Sequence, residues 1–447
     1  MFGRMAIALA QARRSLRITR TASQSDFDME ALPQIFRVRQ RFPRPQVTDP
    51  AAAVHAALAK LQLNRRIAPG QSVAITAGSR GIANIHVIIK TIVDHLTTLG
   101  GKPFIVPSMG SHGGGTEQGQ REIINGYGIT EEFCGCPIRA SMETVVVCDA
   151  AEGFPVYFDK HAFAADHVVV CGRVKPHTGF AGDIESGLMK MMLIGLGKHD
   201  GAKIYHQVIQ THSFGQIVRS VAREVLSRCN ILCGVATVEN GYDETALIEA
   251  VAPEDFETRE KELLIQAKEW MPRLPFQQSD VLIVDKIGKN ISGSGMDTNV
   301  VGRKFDDHRA QPDEWPKIKR IVIRGLTEES HGNACGIGLS EFCLTRAVEQ
   351  MDQEATWVNA ITSGHATSGM VPIHYPTDRE VLRAALSTIG LVEPVDARLM
   401  WIQDTLTVAE LECSTAYFEE AQQRDDLDIV QPPRPMPMCD DGMLVST

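Results

Sequence analysis

Two histidines lie in loops where their chemistry could serve catalysis. His112 lies in GSHGGGT and His177 in KPHTGF, and each follows an apolar segment that ends in small or turn-forming residues. Histidine has an unperturbed pKa of about 6.5 and exchanges protons near neutral pH. A histidine of the core is the structural alternative, but the loop positions favour a functional role for both residues.

A lysine in an apolar run and a third histidine follow shortly after. Lys190 lies within LMKMMLIGLG, where a lysine must extend its stem to solvent or find a partner. A desolvated lysine has a depressed pKa and becomes nucleophilic. His206 follows 16 residues later, after a predicted helix and turn.

Two loops carry groups that suit an anion. Ser79 and Arg80 stand directly after the segment SVAITAG, and a guanidinium offers a planar fork to a carboxylate or phosphate. Gly113, Gly114 and Gly115 could let backbone N–H groups approach an anion at the start of the next helix. A surface ion pair for the arginine and a plain flexible turn for the glycines are the alternatives.

The elements that must position these loops have the pattern of repeated strand and helix units. SVAITAG (72–78), PFIVP (103–107) and HVVVCGRV (167–174) are typical of buried strands, and residues 84–99 have apolar residues at helical spacing. Repeated units of this kind predict a parallel sheet. Ligands of such sheets bind beyond the carboxyl ends of the strands, which is where the three loops begin.

A second unit is predicted beyond residue 275. The charged helical segment 254–270 is closed by Pro272 and Pro275, and a buried strand starts at Asp280. Another strand is predicted over residues 318–326, and Thr377 with Glu380 predicts a capped helix that ends near residue 389.

The fold class predicted is therefore α/β, with two α/β domains, mainly parallel sheets and an active-site cleft between them. The chain of 447 residues is long enough for this arrangement. We expect residues 1–30 to be a basic, disordered extension, residues 31–275 and 276–425 to be the two domains, and residues 426–447 to be a mobile tail.

Composition excludes several function classes. Lys and Arg total 45 against 55 Asp and Glu, and the net charge of −10 argues against a nucleic-acid or anionic-membrane surface. The richest apolar stretch, residues 187–197, is too short to span a bilayer. The ten cysteines are scattered without a dense framework, which favours a reduced, cytoplasmic protein. The motifs HExxH, GxSxG, CxxC and GxxxxGK[ST] are missing, so the commonest hydrolase and nucleotide sites are not predicted.

The ordered series AGSRG, GSHGGGTE, KPHTGFAGD, LMK and IYHQ resembles the nickel-pincer-dependent lactate racemase family, over roughly residues 35–425. Members of that family racemise or epimerise 2-hydroxy acids. The resemblance implies that His112 and His177 are the acid/base pair on opposite faces of the substrate. It further implies that Lys190 can hold the cofactor, a nickel-pincer nucleotide, and that His206 is the nickel ligand.

The resemblance also divides the remaining roles between the two domains. It implies cofactor binding in the N-terminal domain and substrate selection in the C-terminal domain. Ser79, Gly113 and Gly114 are assigned to the cofactor on this basis, and Arg80, Lys289 and Asn290 to the substrate. It implies dependence on the enzymes that make the cofactor, and a homo-oligomer is compatible with it.

Three departures point to a divergent homologue. The segment between His177 and Lys190 is slightly longer than in the best-known members, and Ala77 stands where an acidic residue commonly begins the arginine motif. In the second domain, DKIGKN offers Lys286, Lys289 and Asn290 without the glutamine that the family uses toward substrate. We therefore expect a 2-hydroxy acid that is lactate-like or larger, with a sugar acid among the candidates.

Two other classes of function remain open. A divalent-metal hydrolase could use His112, His177 and His206 with Asp183 or Glu185 assisting. A catalytically silent protein that binds a nucleotide-like cofactor or a sugar acid is the second alternative.

Overall fold

The computed structural model describes residues 32–79 and 81–445. The predicted extension 1–30 and Arg80 lie outside the described residues. The strands are β1 Ile35–Gln40, β2 Ser72–Ala77, β3 Lys102–Pro107, β4 Thr144–Asp149, β5 Pro155–Asp159, β6 His167–Arg173, β7 Ile231–Glu239, β8 Thr245–Val251, β9 Gln278–Val284, β10 Lys317–Ile323, β11 Phe342–Leu344, β12 Ile373–Tyr375, β13 Leu399–Ile402, β14 Glu410–Ser414 and β15 Leu427–Arg434.

The helices alternate with these strands along most of the chain. They are α1 Pro50–Lys60, α2 Ile85–Thr98, α3 Glu117–Gly126, α4 Glu131–Cys134, α5 Lys160–Phe163, α6 Leu188–Lys190, α7 Lys198–Val208, α8 Phe214–Arg228, α9 Phe256–Trp270, α10 Thr298–Val301, α11 Thr345–Glu349, α12 Gln353–Thr362, α13 Asp378–Leu386 and α14 Phe418–Gln422. Each strand and helix predicted from the sequence is present, and α13 ends three residues before the predicted end.

The first sheet has five strands in the order β3-β2-β6-β7-β8, and only the β7–β8 pairing is antiparallel. Its strands are apolar at successive positions because both faces are covered. Val168 and Val170 pack into one apolar cluster, whereas Val169 packs into the cluster on the opposite face. Residues 50–270, which build this sheet and its helices, are called the N-terminal unit below.

The second sheet has eight strands in the order β12-β11-β10-β9-β13-β14-β1-β15. The pairings from β12 to β13 are parallel and the last three are antiparallel. Residues 35–40 and 278–445 form this C-terminal unit. The fold is thus α/β with mostly parallel sheets, as predicted, and the chain crosses between the units at residues 41–49 and 271–277.

Two of the predicted domain limits are wrong. β1, expected in the first domain, lies in the second sheet, where Arg37 pairs with Glu412 and Arg39 with Glu410 across the strand pairing with β14. Residues 427–434 form a strand against β1 rather than a mobile tail. Pro432 and Pro433 suggested disorder, but β15 is the outermost strand of this sheet, and an edge strand tolerates residues that lack an N–H donor.

The chain beyond β15 is held by a buried ion cluster. The Arg324 guanidinium, 1% exposed, donates to Asp285 Oδ1 at 2.5 Å, to Asp378 Oδ1 at 2.8 Å and to the Leu444 carbonyl at 2.6 Å. The Leu444 N–H in turn donates to Asp378 Oδ2 at 2.8 Å. Within the described residues, no helix is both long and apolar enough to cross a bilayer.

Arg324→Met should destabilise the protein by about 3 to 5 kcal/mol, because it leaves the Asp378 carboxylate buried without a cation. Urea denaturation measures the change. Arg383→Met, at an exposed position of the helix that begins with Asp378, is the matched control. Equal stability of the two variants would show that the cluster does not hold the unit together.

Candidate active site

Three neighbouring strands of the first sheet bring the predicted loops to one edge. β3, β2 and β6 are adjacent and parallel, and the loops with His112, Ser79 and His177 follow their carboxyl ends. Ser79 Oγ and His112 Nδ1 lie 2.5 Å apart. The Ser79 carbonyl accepts a hydrogen bond from the Tyr127 hydroxyl at 2.6 Å, which fixes the serine under the imidazole.

The glycines after His112 form a tight turn. Gly113, Gly114 and Gly115 have φ of +68°, +67° and +63°, a left-handed conformation that glycine adopts without strain. A Cβ on Gly113 would lie 2.5 Å from the Gly119 carbonyl carbon. The turn then enters α3, whose first turn is capped by Thr116 Oγ1 accepting from the Gly119 N–H at 3.1 Å. Backbone geometry therefore accounts for these glycines, and their contact with a cofactor stays a prediction.

His177 is held in a defined orientation. Its backbone N–H donates to Glu185 Oε2 at 2.8 Å, and its Nδ1 accepts from the Gly179 N–H at 2.9 Å. The ring stacks on Phe180 at 3.7 Å, and Phe180 stacks on Phe214 at 3.9 Å. Since Nδ1 is an acceptor, the neutral imidazole carries its proton on Nε2, and the Nε2–H group is the one able to donate to a ligand.

Glu185, fully buried, connects the His177 loop to the C-terminal unit. Besides the His177 N–H, it accepts from Lys268 Nζ at 2.6 Å and from Lys304 Nζ at 2.7 Å. Burial by itself would raise the pKa of Glu185, but hydrogen bonds and charge from the two lysines hold that pKa below its usual value. The carboxylate is thus saturated by cations and is a structural anchor.

Lys190 and His206 lie close enough to interact electrostatically. Lys190 ends the short helix α6 and leads into a π-helical turn, Met191–Gly195, and its Nζ lies 5.6 Å from the centre of the Phe180 ring. His206 lies on α7. Burial lowers the pKa of His206, and the positive charge of Lys190 lowers it further. The imidazole is therefore neutral at physiological pH, the form that binds a metal.

A cavity of about 400 Å³ opens beside His206. His206, Gln207 and Gln210 line one side, and Ile361 and Thr362 of the C-terminal unit line the other. The cavity is therefore a cleft between the two units, with the α7 side chains on its wall.

Two buried polar residues that support the His112 loop were not identified from the sequence. Lys198, fully buried, pairs with Asp159 at 3.0 Å and donates to the Pro107 carbonyl at the end of β3. Gln120 Nε2 donates to the Gly110 carbonyl at 2.9 Å. In sequence both residues resemble exposed helical positions, and no local pattern distinguishes them.

The C-terminal unit contacts the His177 loop through residues that the sequence did not indicate. Thr298 Oγ1 donates to the Thr178 carbonyl at 2.6 Å, and Asn299 Nδ2 donates to the His177 carbonyl at 3.2 Å. Lys304 reaches Asn299 Oδ1 at 3.1 Å in addition to Glu185. These residues lie in or after α10, beyond the segment DKIGKN (285–290) that the sequence analysis assigned to the substrate side.

Lys289 and Asn290 take part in a different set of contacts. Lys289 Nζ donates to the Gly293 carbonyl at 2.5 Å, and Asn290 Oδ1 accepts from Thr327 Oγ1 at 2.7 Å. Both contacts shape the loop that follows β9. Their role toward substrate, like that of Arg80, stays a prediction.

The ligand set of a metal hydrolase is not assembled. Within residues 32–79 and 81–445, no group of three or more histidine, cysteine, aspartate or glutamate side chains could hold a metal ion. Asp183, the other proposed helper, is paired with Arg219 at 2.6 Å and with Lys261 at 3.1 Å. His112, His177 and His206 thus do not form a three-histidine metal centre.

Glu260 supports the turn that carries Lys190. This carboxyl group lies in α9, is 1% exposed and accepts from the Met189 N–H at 3.0 Å through Oε2. Oε1 has no hydrogen-bond partner among the described residues. Burial raises the pKa of Glu260 to about 7, and the hydrogen bonds from the Met189 and Leu188 N–H groups offset only part of that rise.

The protonation of Glu260 should make stability depend on pH. The folded chain holds this proton up to about pH 7, whereas the unfolded chain releases it near pH 4.5. The free energy of unfolding should therefore fall by about 3 kcal/mol as the pH rises between these values. Glu260→Gln resembles the neutral acid, so it should match the native protein near pH 4.5 and exceed its stability at pH 8.

Urea denaturation at both pH values measures this difference, with Glu269→Gln, at an exposed position of the same helix, as the control. A Glu260→Gln variant that differs from the native protein equally at both pH values would rule out titration of Glu260.

Comparison with known proteins gives a domain match and a fold. The model of the lactate racemase N-terminal domain matches residues 24–216, a span that includes His112, His177, Lys190 and His206. No curated protein sequence matches the chain.

Among solved structures, the lactate racemase apoprotein from Thermoanaerobacterium thermosaccharolyticum has a TM-score of 0.52 at 14% identity. The alignment covers 83% of this chain and 94% of that one. A protein from Thermotoga maritima has a TM-score of 0.47 at 11% identity, over 74% of this chain and 84% of that one. Residues 24–216 thus match the lactate racemase N-terminal domain, and the chain shares the fold of a lactate racemase apoprotein.

Proposed function

We propose that this chain is a racemase or epimerase of a 2-hydroxy acid, lactate-like or larger, and that it works with a nickel-pincer nucleotide. The observation that carries the proposal is that the His112 and His177 loops share one sheet edge, in a unit where His206 lies within electrostatic range of Lys190. The family match over residues 24–216 supports the same reaction class.

The residues present fit such a cofactor. The pincer supplies three donor atoms to nickel in the family that the motifs resemble, so a single protein imidazole completes the coordination. The described residues offer His206 as that imidazole and hold no cluster of three metal-ligating side chains. Lys190 would hold the nucleotide. When bound, the group supplies the hydride acceptor that an unactivated C2–H bond requires.

Histidine chemistry on this scaffold would manage the hydroxyl proton. One histidine accepts the proton of the substrate hydroxyl as the carbon is oxidised to a 2-keto acid, and the other returns a proton after reduction on the opposite face. Ser79 sets the His112 ring, and Gly179 with Phe180 sets the His177 ring. Because the two configurations at C2 present opposite faces, a base on each of the two loops suits a reaction that interconverts them.

The second unit would select the substrate. Asn299 and Lys304 lie against the His177 loop, and Ile361 and Thr362 face the cleft. Arg80 would bind the substrate carboxylate, with Lys289 and Asn290 assisting. An arginine fork limits rotation of the carboxylate and thereby holds C2 in a reactive position.

The decisive experiment is expression with the enzymes that synthesise the cofactor, followed by nickel analysis and the intact mass of the Lys190 peptide. We expect nickel, an added mass of cofactor size on that peptide, and interconversion of the two configurations of at least one 2-hydroxy acid. Neither nickel nor added mass, with a working positive control, would overturn the proposal. Nickel without interconversion of any 2-hydroxy acid would favour a silent binding protein.

Separate variants should divide cofactor retention from turnover. Lys190→Ala should lower retained nickel, because it removes the attachment point, whereas Lys60→Ala, at an exposed position of α1, should not. Nickel per chain after gel filtration is the measurement.

His112→Ala and His177→Ala should retain nickel yet lower kcat by about 100-fold or more, because each removes a proton carrier. His55→Ala, at an exposed position of α1, is the control. Native turnover in both loop variants would show that these histidines are not the acid/base pair.

A further inference from the structure

A second cavity, of about 580 Å³, lies where the chain crosses between the two units. Both crossings line it: Arg41 to Pro43 come from the first, and Arg273 to Gln277 from the second. A molecule in this cavity would therefore touch both connections between the units at once.

This cavity is separate from the candidate active site. Gln278 begins β9 and Arg398 directly precedes β13, so the cavity lies at the amino edge of the second sheet. Thr298 and Asn299, which contact the His177 loop, follow the opposite, carboxyl end of β9. The edge used by the proposed reaction and the edge used by this cavity are different.

Its lining is cationic in an acidic protein. Arg41, Arg273, Arg398 and Arg424 line the cavity together with two acids, Glu420 and Asp426, although the chain as a whole has a charge of −10.

Two of the four guanidiniums have carboxylate partners. Arg41 donates to Asp428 at 3.0 Å and Arg424 to Asp426 at 2.9 Å. Within residues 32–79 and 81–445, the guanidiniums of Arg273 and Arg398 form no ion pair. Glu420 and Asp426, which also interacts electrostatically with Arg273, balance part of this charge, and the four arginines leave the lining with an excess of positive charge.

A stacked pair of aromatic rings forms part of the cavity lining. Phe276 stacks on Tyr417 at 4.0 Å, and the Arg424 guanidinium lies 5.7 Å from the centre of the Phe276 ring. Gln277 and Gln278 add amide groups that can donate hydrogen bonds. A volume of this size is typical of sites for small molecules.

We propose that this cavity binds a small polyanion that carries phosphate groups. Planar guanidinium forks match phosphate oxygens in pairs, and the charge of an arginine does not depend on pH in the physiological range. An anion that joins Arg273 of the second crossing to Arg398 of the second sheet limits rotation of one unit against the other. Binding of the anion would in this way regulate how far the two units open around the cleft beside His206.

Inorganic pyrophosphate is the probe, with isothermal titration calorimetry of the whole chain at low salt as the measurement. We expect one saturable site whose affinity falls with added salt, because screening weakens the ionic contacts. The double variant Arg273→Ser/Arg398→Ser should lose at least tenfold in affinity, whereas Arg383→Ser, which removes an exposed arginine of α13 outside the cavity lining, should not. Arg273 and Arg398 are exposed, so both variants should keep the native melting temperature without the probe.

Three results would overturn this site. They are a lack of pyrophosphate binding, equal affinity in the double variant, and tighter binding of citrate than of pyrophosphate, which would assign the cavity to carboxylates. Hydrogen exchange gives a second readout: pyrophosphate should slow exchange in residues 41–47 and 271–277 of the native chain but not of the double variant. Unchanged exchange in the native chain would overturn the claim that the bound anion limits rotation of one unit against the other. None of these measurements uses nickel or turnover, so their failure would leave the racemase proposal standing.

Discussion

The structure of the candidate site depends on one buried carboxylate. Glu185 accepts hydrogen bonds from the His177 N–H, from Lys268 and from Lys304, and these groups belong to a loop, a helix and the opposite unit. A carboxylate buried this deeply is costly unless cations and N–H groups compensate it, so the three elements are bound to one arrangement. The orientation of His177 follows from that arrangement.

A second buried ion pair, formed by different residues, positions the His112 side of the cleft. Lys198 and Asp159 form a buried ion pair, and the lysine reaches the carbonyl at the end of β3. Lys198 is also the first residue of α7, which carries His206. The loop with His112 and the helix with His206 therefore share one buried cation. Removal of either buried partner would leave an uncompensated charge rather than a simple gap.

These buried ion pairs hold the proposed reacting groups in the same unit, but each group has a different environment. His206 is partly buried and neutral beside Lys190, which suits a ligand of a metal. His112 is exposed and lies against Ser79, which suits proton exchange with a substrate. Within residues 32–79 and 81–445, no group of three or more histidine, cysteine, aspartate or glutamate side chains could hold a metal ion, so a metal at His206 would need donor atoms from another source.

Much of this protein followed from the sequence. Apolar runs such as HVVVCGRV predicted strands with both faces covered, and parallel pairing then placed the His112 and His177 loops at one edge. All of these inferences rest on local periodicity, because a strand or helix repeats its environment every few residues.

Only the tertiary structure decided which distant strands pair and which charged residues are buried. β1 and β15 come from opposite ends of the chain and meet in one sheet, and no local pattern records a pairing over such a distance. Likewise, Lys304 and Lys198 have the sequence environment of surface residues until the fold buries them against carboxylates. The reason is physical: burial of a charge depends on which distant partner compensates it, and that partner is chosen by packing rather than by neighbours in sequence.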